Sequence, residues 1–479
     1  MRRAYHNHPF DFMRRAREGR GRGTSTDITM PQDLHGLPLT CASAEAADAF
    51  NRATLGYIKY RLDTPQHLAA ALAADPHFAL AQCLKGYFAM LSYKQANVAV
   101  AREAAAAARA GAKRASRRET QHIDALDQWI AGDLDGALAT WEMILAESPT
   151  DVLALRLSHF NYFWLGRVRT MRDSVVRIAD HWGRELPGYA TLLSCLCFAH
   201  EETSNYDEAE PAGRAAIEID PGDLWGTHAV AHVMEMQGRH EDGIAWLDGL
   251  EKHWEGGNNL KHHLWWHRAM FHLERRETDK VLELYDRGFR NFDSPLTKAQ
   301  PDVYIDVQNA ASMLFRLERH GVNIGDRWVE IADKAEERIG DCLSAFTLPH
   351  WMMALTGTGR FTAADAMMRE MREFGRGKGT AAPIVGRVAV PICEAVIAHR
   401  KGAHRAALDA MRPVLSEMYR LGGSHAQQDV LKQMFVDSAV RADSPSDARL
   451  ILAHLRTRYP ELPPERRIGY AEAAKRYSN

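Results

Sequence analysis

The sequence predicts an all-α fold, an α-solenoid of stacked helical hairpins coiled into a right-handed superhelix, and three observations predict it. Two columns of positions repeat together across five successive units of the chain. No segment alternates apolar and polar residues with the period of two that a half-buried strand requires. Hydrophobic residues make up 46% of the 479 residues and charged residues 25%, which is typical of a folded protein with a sizeable core.

Both columns repeat with successive spacings of 34, 38, 34 and 38 residues. The first column holds mainly small residues: Ala125, His159, Cys197, Ala231 and Ala269. The second column lies at the start of the second helix of each unit and consists of Ala137, Met171, Ala209, Gly243 and Val281. Small residues are needed there because the two helices of a hairpin cross closely. The spacing and residue types are those of tetratricopeptide repeats, most clearly over residues 118–290.

The domain organisation follows from these repeats. Residues 1–29 contain seven arginines and three glycines without an apolar face, so we expect a disordered tail. Residues 30–479 are predicted to form a single tetratricopeptide-like helical repeat domain, with weaker repeat signatures at both ends.

Charge and composition limit the classes of partner. The formal net charge of -2 argues against a broad nucleic-acid-binding face. No run of eighteen apolar residues is present, so no membrane-spanning helix is expected. The six cysteines include no CxxC pair and are typical of reduced thiols, which predicts a cytoplasmic location.

Histidine is concentrated in one part of the repeats. Eight of the 23 histidines lie between residues 228 and 272. His228, His232 and Glu235 share one face of a predicted first helix, and His263 and His267 are spaced four apart on the next first helix. Adjacent first helices stack side by side along the concave wall. The two histidine pairs could therefore approach each other in the groove.

Four further residues are candidates for the same groove. One is a histidine at a tight helix crossing, one a tryptophan beside the second pair, and two are acids on predicted groove-lining helices. They are His159, Trp266, Asp306 and Asp429.

Three interpretations of the histidines are open. They are core groups satisfied by hydrogen bonds, or donors in an organic ligand pocket walled by tryptophans, or metal ligands suited to zinc or iron. The zinc-protease pattern HExxH is absent, because Ala229 stands where its glutamate belongs. The candidate metal ligands are His228, His232, Glu235, His263 and His267.

Four segments carry a resemblance to a known family. They are residues 33–39 (DLHGLPL), 171–175 (MRDSV), 228–236 (HAVAHVMEM) and 422–429 (GGSHAQQD). With them the chain resembles the tetratricopeptide repeat protein 38 family from about residue 33 to about residue 435. The resemblance implies an all-helical array and carries over no reaction. The family tends to have an aspartate two residues before His350, where this chain has Leu348.

The predicted function is that of a tetratricopeptide-repeat binding protein whose concave, His- and Trp-rich groove holds a peptide or a small molecule. The alternative is an enzyme that uses the histidines as general acid and base, or as metal ligands, in an enclosed superhelical pocket. An open groove favours the first hypothesis and a covered one the second. A divalent metal is a candidate cofactor, and a homo-oligomer is a candidate assembly.

Overall fold

Short turns connect helices along the described chain, residues 31–477 of a computed structural model. Within this range the only bridging of extended backbone consists of two isolated contacts. The prediction of an all-α fold without strands is therefore confirmed. The predicted tail, residues 1–29, lies outside the described residues.

The helices fall in order along the chain. The first thirteen are α1 (Ala44–Ile58), α2 (Thr64–Ala74), α3 (Ala79–Leu91), α4 (Asn97–Gly111), α5 (Arg117–Ile130), α6 (Leu134–Glu147), α7 (Val152–Trp164), α8 (Val168–Ala179), α9 (Tyr189–Glu202), α10 (Tyr206–Ile219), α11 (Leu224–Met236), α12 (His240–Leu250) and α13 (Leu260–Glu274). The remainder are α14 (Thr278–Leu284), α15 (Pro295–Ala299), α16 (Tyr304–Arg319), α17 (Trp328–Glu337), α18 (Thr347–Gly357), α19 (Phe361–Gly375), α20 (Ala382–Ile384), α21 (Val390–Arg400), α22 (His404–Met411), α23 (His425–Arg441), α24 (Pro445–Arg458) and α25 (Ala471–Tyr477).

The five predicted units are five helical hairpins, α5–α6, α7–α8, α9–α10, α11–α12 and α13–α14. Every residue of both repeating columns is buried. A Cβ atom built on Gly243, in the second column, would lie 2.3 Å from the ring of Phe271. The two helices of the hairpin cross closely at the small residues, as predicted. The register of the repeats is therefore the predicted one.

The turn inside each of these hairpins forms a third column with the same spacing. Its residues have positive φ angles: Gly132, Gly166, Ser204, Gly238 and Arg276. Glycine adopts this left-handed conformation without penalty, whereas another residue costs roughly 1–2 kcal/mol. Ser204 and Arg276 adopt it at φ 64° and 63°.

The first helices of the hairpins form an inner layer and the second helices an outer one. All 13 residues of α11 are buried, whereas α12 buries Gly243 and Leu247. In α7 every residue except Phe160 is buried. Polar side chains on α7 and α11 therefore stand inside the molecule.

Other parts of the chain cover the concave side of this inner layer. Helix α23 packs against α11 and α16, and α1 packs against α7. Arg338 Nη2 donates a hydrogen bond to the carbonyl of Tyr93 (2.9 Å), and the amide of Thr380 donates to the carbonyl of Gly132 (3.0 Å). These segments cover part of the groove and leave a cavity that still opens to solvent.

Gly422 and Gly423 mark the predicted break before α23, with φ angles of 81° and 79°. Ser424 then caps α23: its hydroxyl accepts a hydrogen bond from the amide of Gln427, whose side chain accepts one from the Ser424 amide. This reciprocal capping uses the amide that an anion would otherwise bind at this helix start.

One stretch, Ala382–Arg400, is long and apolar enough to cross a membrane by length and composition. More than half of its most apolar window is buried inside the fold. Core helices of soluble proteins meet the same two criteria.

Candidate functional site

Two neighbouring inner helices bring four histidines together. His228 and His232 lie on α11, and His263 and His267 lie on α13, each pair four residues apart on one helix face. All four side chains are at most 2% exposed. One ring nitrogen from each lies within 4.8 Å of one from every other. The two pairs that the sequence predicts to approach therefore form one cluster, which we call the four-histidine cluster.

The imidazoles of this cluster contact one another directly. His228 Nε2 lies 2.9 Å from His232 Nε2, so one of these two nitrogens donates to the other. The ring centres of His232 and His267 are 4.4 Å apart, and those of His263 and His267 are 4.6 Å apart. Buried polar groups normally have hydrogen-bond partners in the protein or in water. Four imidazoles that pack mainly against one another inside a helical layer are therefore unusual.

Two partners outside the cluster orient the rings of α13. His267 Nδ1 lies 2.8 Å from Glu235 Oε2, and His263 Nδ1 lies 2.9 Å from Asn309 Oδ1. An ionised Glu235 and the carbonyl oxygen of Asn309 accept hydrogen bonds, in which case both Nδ1 atoms donate and both Nε2 atoms keep a lone pair. Glu235, predicted to act beside His228 and His232, thus contacts the histidine of the neighbouring helix.

Burial keeps the cluster uncharged. It lowers the pKa of His228, His232 and His263 well below the usual value, and the neighbouring imidazoles lower it further. It lowers the pKa of His267 to about 3. All four rings are therefore neutral at cellular pH, which is the protonation state that metal ligands and hydrogen-bond acceptors need.

Several polar atoms at the cluster have no hydrogen-bond partner among the described residues. They include His228 Nδ1, His232 Nδ1 and His267 Nε2, and both carboxyl oxygens of Glu201. Glu201 is fully buried, with one oxygen 3.9 Å from His232 Nδ1. Burial raises the pKa of Glu201 well above its usual value and that of Glu235 to about 7.

Trp266 is the predicted tryptophan that touches the cluster. Its ring stacks on His263 with centres 5.1 Å apart and planes at 9°. The guanidinium of Arg316 lies 6.0 Å from the Trp266 ring centre. Arg316 in turn has Asp429 as a counter-charge at 3.8 Å.

The other predicted residues lie outside the cluster. His159 contacts the ring of Trp225, and both of its own nitrogens lack a hydrogen-bond partner in the described part of the chain. Asp306 pairs with His262 at 3.0 Å. Asp429 accepts from Arg467 at 2.6 Å and so joins α23 to the C-terminal segment. The structure brings these three residues close to the groove but not to one another.

A cavity of about 520 Å³ borders the cluster and opens to solvent beside Leu62, a lining residue that is half exposed. His228 and His263 reach its wall, so two of the four imidazoles face this space. The rest of the lining is mixed, and its aromatic residues come from α1 and the turn after it, from α3, and from α7, α11 and α16. It includes Tyr57, Tyr60, Phe160, Phe163, Trp225 and Tyr304.

The cavity wall also contains a buried arginine that sequence analysis did not single out. Arg156, on α7, is 2% exposed and donates to the hydroxyl of Tyr60 (2.6 Å) and to Cys195 Sγ (3.0 Å). Burial raises the pKa of both partners, so both are neutral. The guanidinium lies 5.2 Å from the ring centre of Trp225, and its Nε has no partner among the described residues. The signal in the sequence was a single charged residue in the apolar helix α7.

Glu201 is a second residue that sequence analysis missed. It stands near the end of α9, an otherwise apolar inner helix, and is followed by Glu202. Two consecutive acids at that point could equally mark a solvated helix end, so the pattern alone did not indicate a site.

No family model matches the chain. A structure of the human IFIT1 dimer with m7Gppp-AAAA aligns at 12% identity and a TM-score of 0.36, covering 92% of this chain and 96% of that one. A monomeric IFIT1 mutant with Gppp-AAAA aligns at 12% identity and a TM-score of 0.35 (91% and 96%), and Naa15/Naa10 bound to HypK-THB at 12% and 0.24 (87% and 67%). TM-scores below 0.5 carry nothing about the ligand of this chain, so its hairpins and buried columns define the fold.

Proposed function

We propose that this chain is a cytoplasmic binding protein of the tetratricopeptide repeat protein 38 family that holds a small organic anion in the cavity beside the four-histidine cluster. The observation that carries this proposal is Arg156, a buried cation with neutral partners in an aromatic cavity wall. Cys41 is partly exposed and the other five cysteines are buried, all as free thiols, which supports a reducing compartment.

Charge argues for an anionic ligand. A buried charge without an ion-pair partner costs several kcal/mol. The buried Asp223, which interacts with Arg156 electrostatically but makes no ion-pair contact with it, and the rings of Tyr60 and Trp225 offset only part of that cost. A guanidinium fits a carboxylate or a phosphate through two parallel hydrogen bonds.

The shape of the cavity argues for a small molecule rather than a peptide. A volume of about 520 Å³ falls within the roughly 300–1,000 Å³ of small-molecule sites. An extended peptide would need a groove open along its length, whereas α23 covers this one. The aromatic lining would bury the apolar body of the ligand while Arg156 holds its charged end.

The test is a binding screen on the full chain. The probes are small aromatic carboxylates, each matched with its neutral amide, for example indole-3-acetate with indole-3-acetamide. We expect the carboxylates to bind and the amides to bind much more weakly. Removing one partner of a buried charge pair costs about 2–5 kcal/mol, so Arg156→Met should weaken carboxylate binding about 30-fold or more.

Two further variants control this test. Arg156→Lys keeps the charge but not the planar donor geometry, and should retain part of the affinity. Arg287→Met removes an exposed arginine that does not line the cavity, and should leave binding unchanged. Equal binding of acids and amides, or an Arg156→Met variant of normal affinity, would contradict the proposal. So would a panel in which no acid binds.

A further inference from the structure

We propose that His228, His232, His263 and His267 are the ligands of a divalent first-row transition metal, with Zn²⁺ as the best-fitting ion. The site lies between α11 and α13 at the wall of the cavity, and its argument is independent of the anion proposed above. It selects the metal interpretation from the three that the sequence left open.

The ligand set suits such an ion. Neutral imidazole nitrogens are common ligands of zinc at about 2.0–2.1 Å, so four of them in a tetrahedron lie about 3.4 Å apart. Here His228 and His232 already approach to 2.9 Å, and all four offer nitrogens within 4.8 Å of one another. Small rotations of four side chains would bring the set onto one ion.

The surroundings of the cluster are those of ligands rather than of core residues. Metal-bound histidines usually donate their second nitrogen to a carboxylate or a carbonyl, which fixes the ring and strengthens the ligand. Glu235 does this for His267 at 2.8 Å, and Asn309 does it for His263 at 2.9 Å. A satisfied core would not leave His267 Nε2 without a partner, whereas a metal ion would use it.

Charge balance supplies an independent argument. A dication in a dry interior needs nearby negative charge. Glu235 and Glu201 provide two buried carboxyl groups next to the cluster, and neither oxygen of Glu201 has a hydrogen-bond partner in the described part of the chain. A bound dication would favour the ionised form of both acids, and two carboxylates would equal its charge, so the metal would give the unpartnered Glu201 a counter-charge.

Zinc titration of the untagged, chelator-treated full chain tests the site. We expect one Zn²⁺ per chain, measured by elemental analysis and by competition with a chromogenic chelator. Co²⁺ in its place should give the intense visible bands of tetrahedral nitrogen coordination. His232→Ala should bind zinc at least 100-fold more weakly. Glu235→Gln should lose 10- to 100-fold, as is usual for an outer partner of a metal ligand.

Controls separate a lost site from a lost fold. His350→Gln changes a buried histidine outside the cluster and should bind zinc normally. Arg156→Met alters the cavity wall alone, so it should keep zinc even if the anion proposal fails. For the wild-type chain, zinc should raise the melting temperature, a readout that needs no variant. Absence of zinc and cobalt binding by the wild type, or normal zinc binding by His232→Ala, would overturn the proposal.

Discussion

Two glycines of α12 offer a direct test of how tightly the hairpins pack. Gly243 and Gly249 lie in the same helix, His240–Leu250, and the same substitution to alanine can be made at both. A Cβ atom on Gly243 would lie 2.3 Å from Phe271 Cζ, inside contact distance. A Cβ atom on Gly249 would meet no heavy atom within 4 Å.

The expected free energies differ because only one of these sites is crowded. Alanine is favoured over glycine in a helix by about 0.5–1 kcal/mol, so Gly249→Ala should stabilise the protein by up to that amount. Gly243→Ala gains the same propensity but overpacks a site where Phe271 is fully buried. Overpacking costs about 1–3 kcal/mol, so this variant should be destabilised or neutral. The two variants should differ by about 1–3 kcal/mol.

Urea unfolding followed by far-ultraviolet circular dichroism measures this difference. Thermal melting is less sensitive, since the entropy of unfolding scales with length and 1 kcal/mol moves the midpoint of a 479-residue chain by about 1 °C. Gly249→Ala is the matched control, because it changes the same helix by the same atom. Equal stabilisation of both variants would mean that Phe271 moves aside, and the close crossing assigned to the second column would be wrong.

Two more predictions concern packing and acid stability. Ala137→Trp, at a fully buried position of the second column, should lower the free energy of unfolding by at least about 1–3 kcal/mol in urea, and a neutral result would contradict the register. Burial lowers the pKa of His350 to about 4, below the ordinary value near 6.5, so the unfolded chain takes up a proton that the folded chain does not. Stability should therefore fall as pH drops below about 6.5 and this loss should end near pH 4. His350→Gln should remove about 2 kcal/mol of the loss between pH 7 and pH 5; an unchanged pH profile would show that His350 does not contribute.

The hairpins could be predicted because their constraints are local in sequence. A helix pair 34 residues long must place a small residue at each crossing, and Ala125 and Ala137 fill both positions of one unit. The approach of His228 to His263 followed from the same register, since consecutive first helices are neighbours in a solenoid.

The rest depended on contacts between distant parts of the chain. Nothing local indicates that Arg338 will bond to Tyr93, 245 residues away, or that α23 will cover the groove. Arg156 and Glu201 are informative only once their surroundings are known, because an exposed arginine or glutamate in the same sequence would mean little. The partner of Glu235 could not be predicted either. Glu235 lies on a helix face that is directed both toward the histidines of α11 and toward those of α13.

The covered groove has a consequence for the history of the chain. An open solenoid can gain or lose a repeat at little cost, since each unit contacts only its neighbours. Here Arg338 must still reach Tyr93, and Thr380 must still reach Gly132. Inserting one hairpin between such partners would displace them by about 20 Å, two helix diameters. The number of hairpins is therefore constrained. Single substitutions can accumulate in this protein, whereas duplication of a unit would break these contacts.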